Sequence, residues 1–329
     1  MLRVAGRLLE GGQPLRGLTL GRTARNPHAA RRDKAGGASD EPSDQEGAES
    51  FGALALHGSD CTLDILMICT LGDLLLDVVV RLDGPIAEDT DTYGRTRVGP
   101  GGQAANVAAW VAALGGRARF IGKRSADPAG AMLAEELRRR GVELVGPEEE
   151  SGTGTVVSVA TPDGQRTMLT DRGIAPDLAP EELDPRWLDG CEWLHVAGYS
   201  LARSPIREAS LAAAALAPRV SVDLSSTAAI RAVGLDEFRA TLAKLRPQIV
   251  FANEDEAALV GELDAETVVV KRGAGGILVG ESAYDARPAE VVDTTGAGDA
   301  LAAGFLLGGP ELGLDAAARC VATMGAFPP

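Results

Sequence analysis

From Thr62 onward, short apolar runs of strand length alternate with helical segments, and that alternation leaves few folds open. Residues 63–71 (LDILMICTL) read as a buried strand ending at Gly72-Asp73, and 104–115 (AANVAAWVAALG) as a helix closed by Leu114-Gly115. A short strand follows at 119–122. Asp127-Pro128 then opens another helix, with Asp as N-cap and Pro at the first helical position. Strand-like runs recur at 192–196, 219–223, 248–252 and 267–270, mostly with helical segments between them. A chain patterned this way builds a parallel or mostly parallel sheet covered by helices.

Two pairs of runs break the rhythm: 77–82 with 92–98, and 155–161 with 165–171 around Pro162-Asp163-Gly164. Asp-Gly is a hairpin turn, and Val156, Ser158 and Ala160 alternate with Val157 and Val159. The two pairs, drawn from about 76–98 and 154–172, are expected to form a small sheet acting as a lid. Edge strands of the main sheet are the other reading.

Residues 1–60 differ in kind. Their eight basic residues all fall by Lys34, an acidic Ser/Gly/Glu-rich stretch follows at 40–50, and eight acids cancel the eight bases. The whole net charge of −15 therefore sits on 61–329. Low hydrophobicity without periodicity predicts a disordered extension, or a start upstream of true initiation near Met67, rather than a targeting or regulatory tail. The catalytic domain is expected at 61–329. Its acidity argues against nucleic acid or anionic membrane as a partner. No run of 18 apolar residues predicts a membrane span. Cys61, Cys69, Cys191 and Cys320 are widely scattered without a CxxC pair, so neither a disulfide framework nor a structural zinc is expected. These features predict a reduced, cytoplasmic protein.

The chemistry concentrates in Asp293-Thr294-Thr295-Gly296-Ala297-Gly298-Asp299-Ala300, after Val291-Val292 and before the apolar run 301–307. Backbone amides around Gly296–Gly298 can converge on an anion, because two glycines remove obstructing side chains and the next helix adds its positive dipole end. Asp299 is the wrong group to bind phosphate. Its plausible task beside an anion pocket is to accept a proton from an attacking hydroxyl; a helix-start residue in a tight turn is the plainer alternative. There is no GxxxxGK[ST]. A second constellation, Pro100-Gly101-Gly102-Gln103-Ala104-Ala105-Asn106, puts paired glycines before a helix and an Asn able to donate and accept toward a polyol.

GGQAAN at 101–106 with LGG at 114–116, and DTTGAGDALAAGF at 293–305, resemble the two signatures of the ribokinase-like (PfkB-type) carbohydrate kinases. The resemblance spans about 62–329. It implies a three-layer α/β/α ribokinase-like domain with a mostly parallel central sheet and a β-sheet lid. It also implies an ATP-dependent kinase that phosphorylates a hydroxyl of a small sugar or sugar derivative. In that frame Asp299 is the catalytic base, and Gly296, Ala297 and Gly298 form the anion hole. Asp77, Gly101, Gly102, Asn106 and Arg172 bind the acceptor, and Asn253, Lys271, Gly273 and Gly276 contact the nucleotide. Glu256 organises hydrated magnesium (Mg2+) through the Asn253-x-x-Glu256 motif, although the same spacing is a capping box. Asp293 and Thr295 match positions holding a monovalent cation such as K+ in some members, with Gly325-Ala326 as the late loop over it. Pairing of two copies through the lid is a further expectation.

Departures from the pattern also carry expectations. Ser125-Ala126-Asp127 replaces a Gly-x-Asp turn, and Gln103 stands where ribokinases proper carry lysine, pointing away from ribose. Arg172 points to an acidic or phosphorylated sugar, and Arg166 reads as a lid-surface charge. The end of the chain at Pro329 predicts a minimal adenine pocket. His195 reads as a packed strand histidine, Trp110 and Trp193 as core contacts, and Asp223 as a candidate for the crevice at the strand ends. A nucleoside kinase would want lid aromatics, of which only Tyr93 is present. A silent sugar sensor has no need of Asp299, and a nicotinamide oxidoreductase would need a GxGxxG after the first strand.

Overall fold

The computed structural model describes residues 66–163 and 166–329. The extension expected at 1–60, Cys61 and the Gly164 of the expected hairpin turn lie outside the described residues. In chain order the strands are β1 (Met67–Leu71), β2 (Leu75–Leu82), β3 (Gly94–Gly101), β4 (Arg117–Ile121), β5 (Arg124–Ser125), β6 (Val142–Val145), β7 (Glu148–Glu149) and β8 (Thr153–Ala160). They continue with β9 (Arg166–Gly173), β10 (Trp193–Ala197), β11 (Val220–Asp223), β12 (Ile249–Asn253), β13 (Thr267–Lys271), β14 (Ile277–Val279) and β15 (Ser282–Tyr284). The helices are α1 (Gln103–Ala113), α2 (Pro128–Arg139), α3 (Gly198–Leu201), α4 (Ile206–Leu216), α5 (Thr227–Val233), α6 (Leu235–Leu245), α7 (Glu254–Val260) and α8 (Ala297–Val321).

Nine strands form the main sheet in the order β15-β14-β13-β12-β11-β10-β1-β4-β6. All pairs from β6 to β13 are parallel, and only β14 and β15 run antiparallel at one edge. The central strands MICTL and WLHVA are buried throughout because helices cover both faces, so they read as continuous rather than alternating apolar runs. On one face Trp110, Leu133, Leu137, Ala302 and Leu306 from α1, α2 and α8 close the core. On the other, Ala209, Ala213, Phe238 and Leu242 from α4 and α6 do so. Two helical layers around one sheet make the three layers expected. Asp127 caps α2 as predicted, accepting from the Gly130 amide at 2.8 Å.

The hairpin runs form a second sheet, ordered β3-β2-β8-β9, with β2 and β8 parallel and the outer pairs antiparallel. They are therefore not edge strands of the main sheet. Cys69 and Cys191, scattered in sequence, meet as buried thiols, since β1 and β10 are neighbours. Among the described residues no helix is long and apolar enough to cross a membrane.

Candidate active site

The carboxyl ends of the parallel strands and one face of the second sheet converge on the turn at 293–299. Gly296 holds the left-handed conformation (φ 78°, ψ 0°) as the residue before α8, and a Cβ there would stand 2.4 Å from Ala326. Only glycine meets both demands, so the late loop can close on the turn. Asp293 fastens the two together. Its Oδ1 accepts the Thr295 amide and hydroxyl at 3.0 and 2.8 Å, and its Oδ2 accepts the Gly325 amide at 2.9 Å. Burial opposes its charge, but the Gly325 and Thr295 amides hold the carboxyl below its ordinary range. The first-turn amides of α8 have no intrahelical acceptor and present the positive dipole end. Of the three amides in the expected anion hole, that of Ala297 turns back to Thr294 O at 3.4 Å.

Asp299 lies in that first turn, half-buried on the wall of one cavity and one residue from Gly298, which lines another. Asn106 Nδ2 donates to its Oδ2 at 2.7 Å, and Gln103, also on α1, faces it as a second donor. Burial pushes its carboxyl up to about 7 against these donors, with Asp223 adding to the rise and Lys271 opposing it. A carboxyl poised near neutrality can exist as base or acid at working pH.

One cavity, of about 510 Å³, is walled by Asp77, Gln103, Asn106, Arg172, Tyr199 and Asp299 among others. Asp77 comes from β2, and burial, with Asp293 nearby, pushes its carboxyl up to about 7. A Cβ on Gly101 would sit 2.0 Å from the Asp77 Cγ, so the glycine leaves the space this carboxylate fills. The buried Asn106 Oδ1 has no partner among the described residues, leaving an acceptor at the cavity wall. Arg172 lines the same wall, yet its guanidinium is engaged by Asp73, with Nε to Oδ2 at 2.6 Å and Nη2 to Oδ1 at 2.8 Å.

The other cavity, also about 510 Å³, lies beyond the turn and is lined by Lys271, Gly273, Gly276, Gly298, Leu314 and Val321 among others. It is mostly apolar and as large as the first, where the chain end had predicted a minimal pocket. Asn253 and Glu256 form the full capping box of α7. Asn253 Oδ1 accepts the Glu256 amide at 2.8 Å, while Glu256 accepts from the Asn253 amide and side chain at 2.9 and 2.8 Å. Among the described residues no group of three or more His, Cys, Asp or Glu could hold a metal. That donor set suits magnesium only as an ion arriving with phosphates and its own waters.

Some contacts were not anticipated. Arg166, read as a surface charge, reaches across to Thr295 Oγ1 at 2.8 Å because β9 lies over the crevice. Arg97 on β3 donates to the Met324 carbonyl. Asp73, Tyr199 and Ser225 had no signal as site residues; for Asp73, the adjoining Gly72 at the end of β1 was the available cue. His195 is the packed strand histidine expected, beside Ser221 Oγ at 3.0 Å, with burial pushing it down to about 4. Trp110 is core, and its indole also donates to the Ala326 carbonyl at 2.8 Å.

The three-layer domain thus carries a glycine turn at a helix start, a neighbouring carboxylate and a cavity on each side of that turn. Residues 66–327 match the pfkB family carbohydrate kinase, and the chain belongs to that family. A fructokinase of Salmonella typhimurium is 31% identical over 73% of this chain and 83% of its own. An ATP-dependent ribose-1-phosphate kinase of Halopiger xanaduensis is 30% identical over 74% and 84%. Among solved structures, adenosine kinase from Sinorhizobium meliloti superposes with a TM-score of 0.71 at 27% identity, covering 80% of this chain and 96% of its own.

Proposed function

We propose that the protein transfers the γ-phosphoryl group of ATP to a hydroxyl of a small sugar or sugar derivative, with Asp299 as the base. The observation that carries this reading is the position of Asp299 on the wall of the more polar cavity, one residue from Gly298 on the wall of the more apolar one, beside helix-start amides. The apolar cavity takes the nucleotide, along Lys271, Gly273 and Gly276. The polar one takes the acceptor. Asp77 accepts hydroxyl donors, and Asn106 both steadies Asp299 and offers its free Oδ1 to the acceptor. The acceptor hydroxyl gives its proton to Asp299 as its oxygen attacks, and the amides of Gly298 and its neighbours face the developing negative charge.

Magnesium would supply charge neutralisation on the phosphates; the Glu256 carboxylate, held by Asn253, stands near that path. Asp293 and Thr295 would be the side chains to hold a monovalent cation beside the turn, where Asp293 already accepts from Thr295 and Gly325, and no step is routed through such an ion. The second sheet serves as a lid over the crevice, with Arg166 and Arg97 contacting the turn and late loop to exclude water. Its exposed Val98, Met168 and Leu169 suit pairing with a second copy. Tyr199 at the acceptor wall favours one second reading, a nucleoside acceptor whose base stacks there. Purified protein with Mg-ATP should yield phosphorylated product from a panel of ketoses, sugar phosphates, sugar acids and nucleosides. Product from nucleosides alone would select the second reading, and no product from any class would overturn both.

A further inference from the structure

A largely buried ion pair lies beside the more apolar cavity, which Lys271 lines. Lys271 ends β13 and Asp223 ends β11, either side of β12, so both side chains reach the same carboxyl edge of the sheet. Lys271 Nζ donates to Asp223 Oδ2 at 2.6 Å, with the side chains 17% and 1% exposed. The second carboxylate oxygen accepts the Ser225 amide at 2.9 Å, so Asp223 is pinned and its partner ammonium is aimed. It lies against the phosphate-side turn. A Cβ on Gly298 would stand 3.3 Å from Nζ and 3.6 Å from Cδ. Glycine at 298 therefore keeps the turn open to the lysine as well as to a ligand.

Three carboxylates, Asp223, Glu256 and Asp299, face this one ammonium. Burial opposes its charge, but Asp223 and then Glu256 hold it above its ordinary value. Asp299 in turn faces Asp223 and Lys271 from the strand ends, Asn106 and Gln103 from α1, and acts on Tyr199 and Cys320. A polyanion entering a site with those carboxylates and no cation would be repelled.

We propose that Lys271, aimed by Asp223, is a catalytic cation of this site, meeting an anionic oxygen of the transferring phosphoryl group. The proposal rests on the kinase reading above. In the step it serves, the acceptor oxygen bonds to the γ-phosphorus as the bridging P–O bond breaks. The electron pair leaves with ADP, the hydroxyl proton goes to Asp299, and Lys271 keeps its own protons throughout.

The test is calorimetry of wild type, Lys271→Met, Lys271→Arg and Asp223→Asn with magnesium and a non-hydrolysable ATP analogue, and separately with adenosine. Lys271→Met should bind the analogue at least about tenfold more weakly, the scale of one lost charged hydrogen bond, with adenosine unchanged. Lys271→Arg should recover much of that loss. The acid limb of kcat against pH should move up in Lys271→Met and down in Asp223→Asn, as Asp299 loses a cation or a carboxylate. Equal weakening of analogue and adenosine, or an unmoved acid limb in both variants, would reduce the pair to a structural role. Asp223→Asn keeps the test open if Lys271→Met does not fold. Wild type that binds neither probe would sink the kinase reading itself.

Discussion

Asp77 shows how a single environment can prepare a carboxylate for a polyol. Burial, with Asp293 close by, pushes it up to about 7, and it lines the cavity proposed for the acceptor. Its ionised form accepts sugar hydroxyls far more strongly than the neutral acid does, so acceptor affinity should fall as pH drops through about 7, and Asp77→Asn should flatten that dependence. Asp77→Ala should bind sugar at least about tenfold more weakly while sparing the ATP analogue. An analogue-specific loss would mean that the two cavities are assigned the wrong way round. Linkage gives a second readout. With a folded-state value above the ordinary 3.8, Asp77 contributes stability in full below about 4, and loses it as pH rises through about 7. Without sugar, the melting temperature of Asp77→Asn should therefore fall less than wild type between those limits. An identical slope would contradict the shift.

At the scale of elements, the second sheet is held to the main one by Arg172 of β9 and Asp73 at the end of β1. Their bidentate pair has side chains 17% and 7% exposed. Removing the arginine strands a buried carboxylate, so Arg172→Ala should lose about 3 kcal/mol of stability in denaturant titration. The Arg172→Ala/Asp73→Ala double variant should lose less than the sum of the two single changes. Strict additivity would show that the pair is not coupled. This contact also marks the limit of what the sequence reveals. The turn at 293–299 was legible because glycine, anion hole and helix start are local in the chain, and the hairpin runs because alternation is local too. Asp73–Arg172 spans 99 residues and Asn106–Asp299 spans 193, so no window of sequence displays either. For the same reason Arg166 reads as a solvent charge until β9 is seen lying over Thr295, and Asn253–Glu256 reads equally as a cap or a ligand motif until its hydrogen bonds are traced.

For the whole molecule, the family match begins at 66, one residue before β1. A variant starting at 61 should match the full chain in melting temperature and turnover; a large loss of either would show that the leader contributes to the domain. Within the domain, the proposed chemistry turns on one juxtaposition, Asp299 on the wall of the more polar cavity and Gly298 on the wall of the more apolar one. The most direct measurement of that claim is turnover by Asp299→Asn, alongside sugar and ATP-analogue affinity by calorimetry. The substitution keeps size and hydrogen bonding but cannot take up a proton. Turnover should fall at least about 10²-fold with both affinities little changed. Turnover near wild type would remove Asp299 from the chemistry and contradict the account.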